Sequence, residues 1–66
     1  MIHEVYKAEI KLNDTDKDYT NYIVIKNDTG VLLVTEELFV ISFNSYEEFC
    51  NEVSIKSINM INKIEM

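Results

Sequence analysis

Apolar and polar residues alternate along the first stretch of the chain. Ile2, Tyr6, Ala8, Ile10 and Leu12 fall on one side, His3, Lys7, Glu9 and Lys11 on the other, and Glu4 and Val5 break the rule. A period of two over residues 2–12 predicts a half-buried strand. Residues 13–20 are polar, with aspartate at every second position from Asp14 to Asp18, and read as a loop. Tyr22-Ile23-Val24-Ile25-Lys26 forms the next strand and Val31-Leu32-Leu33-Val34 the third. Between them, Asn27-Asp28-Thr29-Gly30 fits a type I turn closed by a bulged glycine in the left-handed region. Gly30 is the single glycine of the chain and stands where a positive φ is needed.

Thr35-Glu36-Glu37 interrupts the apolar run, and Leu38-Phe39-Val40-Ile41-Ser42-Phe43 resumes it, which predicts a second hairpin. A Glu-Glu pair suits a primed two-residue turn poorly, so the loop is expected to be bulged or longer. The period then changes. Tyr46, Phe49, Cys50 and Val53 recur at helical spacing behind a Ser45-x-x-Glu48 capping box, with Glu47 also in the first turn. Residues 55–66 fit both periods. Asn59 and Asn62 weaken a helix, and four isoleucines favour a strand.

These elements make a single α+β domain over residues 1–66, with the order ββββαβ: a four-stranded antiparallel meander, one packed helix and a C-terminal strand. Strands two to four are apolar on both faces. Ile23 and Ile25 oppose Tyr22 and Val24, and Leu38 and Val40 oppose Phe39, Ile41 and Phe43. One helix covers one sheet face, so the pattern leaves an apolar second face to be covered by the last segment, a partner or a second copy of the chain. A core this small gains from such help, and the expectation is a homodimer.

The chain carries twelve acids against six lysines and no arginine, a net charge of −6. Arginine supplies most bidentate recognition of phosphate and bases, so this balance argues against direct nucleic-acid binding and fits a basic protein partner. No apolar run reaches the ~18 residues of a membrane span, and residues 1–7 lack the basic-then-apolar order of a secretory signal. A lone Cys50 cannot form an internal disulfide. A cytoplasmic location follows as the expectation. Abundant Asn, Ile and Lys, with almost no Ala, Gly, Pro or Arg, fit an AT-rich coding source such as a phage or mobile element of a low-GC host.

No residue pattern predicts catalysis, a cofactor or a metal. Asp14-x-Asp16-x-Asp18 opens like a calcium loop, but Tyr19 and Ile25 stand where that loop needs glycine and glutamate. Cys50 lies within the apolar stripe and is expected to be a buried, inert thiol. The Glu36/Glu37 and Glu47/Glu48 pairs are sequence neighbours, not carboxylates facing each other across a cleft. What remains is acid clustered at turns, where folding does not require like charge. Asp14, Asp16, Asp18, Tyr19, Glu36 and Glu37 are the candidate partner-binding residues. The expected function is a non-enzymatic acidic protein that binds and inhibits or modulates a larger protein. The alternatives are a nucleic-acid-binding module and a structural subunit of a larger assembly.

Overall fold

The structure is a computed structural model that describes residues 1–13 and 15–65. It contains β1 (Ile2–Lys11), β2 (Thr20–Asn27), β3 (Gly30–Val34), β4 (Val40–Phe43), α1 (Tyr46–Glu52) and β5 (Ser54–Glu65), the ββββαβ order expected. The strands form one antiparallel sheet in the order β4-β3-β2-β1-β5. The first four strands follow one another as a meander. The chain then crosses the sheet through α1 and returns as β5 beside β1, at the opposite edge from β4.

Residues opposite each other across an antiparallel ladder share a face, so the register assigns every side chain. Tyr6 pairs with Val24, Val24 with Leu33, Leu33 with Ile41, and Ala8 with Ile58. This row lies on the face toward α1. The buried residues Ala8, Ile10, Val24, Val31, Leu33 and Phe43 share that face and are closed over by Phe49 of the helix. Phe43 and Phe49 meet edge to face, with ring centroids 5.3 Å apart. The other face is open. It carries Val5, Ile23, Ile25, Leu32 and Val34, all half-buried by their own cross-strand neighbours, and an exposed Val40.

The turn residues act as the chain predicts. Asn27 Oδ1 accepts hydrogen bonds from the Thr29 backbone N–H (2.9 Å) and hydroxyl (2.6 Å), which fixes the β2–β3 turn. Gly30 follows at φ +146°, beyond the expected left-handed well but still in a region that side chains avoid. A Cβ at Gly30 would overlap the Phe43 carbonyl oxygen of β4, a second reason for glycine. At the helix start, Ser45 Oγ accepts from the Glu48 N–H at 3.1 Å. Glu48 reaches back to the Asn44 N–H (2.7 Å), one residue earlier than in the usual reciprocal box. The helix ends where Val53 takes extended angles, its N–H still bonded to Phe49 O.

Two expectations need correction. β4 starts at Val40, not Leu38, because Leu38 and Phe39 are used by the turn. Cys50 is exposed, not buried. The seven-residue helix buries only a narrow line of Tyr46, Phe49 and Val53, and Cys50 stands about 100° round the helix from Phe49.

Candidate interaction surface

The antiparallel order sends the β1–β2 connection and the β3–β4 turn to the same end of the sheet. Adjacent strands lie ~4.8 Å apart, so the midpoints of these two connections are roughly 10 Å apart. The topology thus gathers the described candidate residues at one end. Asp14 lies outside the described residues. Asp16 and Asp18 are exposed. Asp16 closes a small turn of its own: its N–H donates to Asn13 O (3.0 Å), and its Oδ2 accepts from the Asn13 N–H (3.2 Å). Tyr19 lies against lysines, with Lys11 Nζ 4.6 Å and Lys56 Nζ 5.9 Å from its ring centroid. These contacts hold the ring at the top of β1 and β5.

Glu36 and Glu37 occupy the tip of the β3–β4 turn, both exposed. Leu38 N–H donates to Thr35 O (3.0 Å), Thr35 N–H donates to Phe39 O (2.9 Å), and Thr35 Oγ1 accepts from the Phe39 N–H (3.1 Å). This is the bulged loop that an acidic pair leads one to expect, and its bulge position needs a positive φ. Leu38 fills that position at φ +67°, alone among the described non-glycine residues. It is also 82% exposed, followed by Phe39 at 65% and Val40 at 58%. Three successive apolar side chains therefore face water beside two glutamates. Thr20, Tyr22, Thr35, Glu36, Glu37 and Phe39 line one shallow depression, which joins this turn to the start of β2 next to Tyr19.

Sequence reasoning missed Leu38 and Phe39, which it assigned to strand. The signal was present: a Glu-Glu loop that requires a bulge puts leucine where glycine or asparagine belongs. Large side chains held in the left-handed region cost of order 1–3 kcal/mol and concentrate at sites of function.

The rest of the surface has little chemistry to offer. His3 lies on the open face with Nδ1 3.3 Å from Asn27 Nδ2, while Cys50 projects from the helix on the other side of the sheet. Among the described residues no group of three or more His, Cys, Asp or Glu comes together to hold a metal. Burial raises the Tyr46 phenol above its ordinary value of 10, with the Cys50 thiol beside it as a second cause. Tyr6 is raised in the same way by burial and then by Glu4. Both tyrosines therefore stay neutral across the physiological range. Lys26 bridges this region, with its Nζ 4.5 Å from the Tyr46 ring and 3.9 Å from Glu4. No helix is long and apolar enough to cross a membrane among the described residues. No protein-family model, curated protein or solved structure matches the chain.

Proposed function

We propose that this chain is a non-enzymatic binding protein that docks on a basic surface of a larger protein and inhibits or modulates it. The observation that carries the reading is the β3–β4 turn. It presents Leu38 in a strained backbone conformation and Phe39 about two-thirds exposed, with Glu36 and Glu37 beside them and the Asp16–Tyr19 segment at the same end of the sheet. Exposed apolar anchors within an acidic rim match the anatomy of a protein–protein contact: the apolar residues supply affinity, and the charges steer and orient the encounter. A net charge of −6 makes the long-range part of that steering attractive to a basic partner. The AT-rich residue usage fits an inhibitor encoded by a phage or mobile element and directed at a host nucleic-acid-binding or defence protein, whose own basic groove would be the target.

The test begins with a partner isolated by pull-down from a low-GC bacterial host, followed by binding kinetics. With Asp16→Asn, Asp18→Asn, Glu36→Gln and Glu37→Gln combined, the on-rate should fall at least tenfold with little change in off-rate. Raising salt past ~0.15 M, where the Debye length drops below ~8 Å, should slow association of the wild type. Leu38→Asn should instead speed dissociation. Association that ignores both salt and the acids, with dissociation indifferent to Leu38, refutes the reading.

A further inference from the structure

Few of the exposed apolar side chains collect on the open sheet face, which holds Val40 and, opposite His3, Ile64. Apart from Tyr19 and the turn residues 38–40, the exposed ones are Met1, Ile2, Met60, Ile61 and Ile64, at the free end of the β1–β5 pair. The helix explains this. It runs obliquely from the end of β4 to the start of β5 and covers only the first half of β5, so Asn59 to Glu65 are exposed throughout. β5 is also a sheet edge, and among the described residues no strand pairs with its outer side. Its length distinguishes it from the other edge. β4 has four residues, a length that natural sheets use to blunt an edge, whereas β5 has twelve and runs the full ~40 Å of the molecule.

We propose that the outer edge of β5 pairs antiparallel with β5 of a second copy, making one continuous ten-stranded sheet. The charges along the strand select this occupant. In an antiparallel pair centred on Met60 and Ile61, the apolar middle meets its own copy. Lys56 then comes opposite Glu65 of the second copy, to within a residue of register, and symmetry makes that ion pair twice. Lys56 can turn outward, because its contacts are long, 3.7 Å to Glu9 and 5.9 Å to the Tyr19 ring centroid, and its side chain is 63% exposed. The contact is isologous and therefore closes at two copies, while the short β4 edge offers no site for further growth. A strip ~40 Å long and ~10 Å thick buries roughly 400 Å² per copy, below the ~800 Å² of a standard interface, so affinity should be micromolar. This inference meets the acidic end of the molecule only at Lys56, whose Nζ lies 5.9 Å from the Tyr19 ring centroid.

The experiment combines mass and cross-linking. Light scattering at about 100 µM should give a mass near twice 7.8 kDa, and Ile61→Lys, at an exposed site, should weaken the dimer at least tenfold. In a Cys50→Ser background, Ile61→Cys should form a disulfide-linked dimer on mild oxidation, whereas Val40→Cys, on the open face, should not. Lys56→Glu and Glu65→Lys should each weaken the dimer and together restore it. A monomer at that concentration overturns the proposal. So does a dimer that cross-links through Val40 and not Ile61, because that result assigns the interface to the open face.

Discussion

Leu38→Asn should make this protein more stable, although it removes a leucine. Leu38 sits at φ +67°, and an ordinary L-residue there costs about 1–2 kcal/mol that asparagine largely avoids through local side-chain hydrogen bonding. The opposing loss is small. The side chain is 82% exposed, so about a fifth of a ~2 kcal/mol burial term is at stake, roughly 0.4 kcal/mol. The hydrogen bonds that shape the turn run between Thr35, Leu38 and Phe39 through backbone groups and the threonine hydroxyl, and they survive the change. The net gain is about 0.6 kcal/mol, worth a rise of ~2–5 °C in Tm for a domain of this size. Leu38→Ala, which keeps the strain and loses the contact, should move Tm the other way. Thermal melts followed by circular dichroism at fixed protein concentration measure both. If the asparagine variant melts more than about 2 °C below wild type, Leu38 contributes packing that outweighs its strain, and the turn is not the strained element described. With a partner in hand, the same variant should bind more weakly while folding better, the separation expected of a residue kept for contact.

Further outcomes follow from the same geometry. Gly30→Ala should cost at least about 2 kcal/mol, measured as a lower urea midpoint, because it adds positive-φ strain to the overlap with the Phe43 carbonyl; an unchanged midpoint contradicts the β3–β4 packing. Cys50 should react with a thiol reagent in native buffer as fast as in denaturant, and strong protection would place it back in the core. Tyr46 gives a pH signature. The unfolded chain releases its phenol proton near pH 10 while the folded state holds it, so the contribution of Tyr46 to stability should be flat below that pH and fall above it. Tyr46→Phe should reduce that fall, as read by urea unfolding at pH 9 and 11; an identical slope in the variant would assign the effect elsewhere.

Much of the fold was legible because local chemistry and packing agree. Asn27-Asp28-Thr29-Gly30 specifies its turn through one side chain and one glycine, and Ser45 with Glu48 marks the start of α1. β5 was harder for a definite reason. Its register against β1 shifts twice, between Val5 and Tyr6 and between Glu9 and Ile10. These bulges put Ile55, Ile58 and Met60 on one face at mixed spacings, which imitates a helix in the sequence. Cys50 was misplaced because spacing gives the direction of a stripe but not its width, which depends on how obliquely so short a helix crosses the sheet. The candidate site was half visible. Charge at turns can be read from composition, and Asp16, Asp18, Glu36 and Glu37 do share one end of the sheet. The apolar tip at Leu38 and Phe39 depends on a backbone angle that no periodicity reports.

The pairing of β1 with β5 sets an order of events in synthesis. Ile10 must wait for Ile55, so at ~5–20 residues per second about 2–9 s pass before the second neighbour of β1 is made. Through that interval β2, β3 and β4 can assemble on one side of β1, leaving its other edge open to any passing strand. On its open face β1 sets Lys7, Glu9 and Lys11 along this stretch. Charged side chains of this kind disfavour pairing of an open edge with a foreign strand until the last strand arrives to cover it.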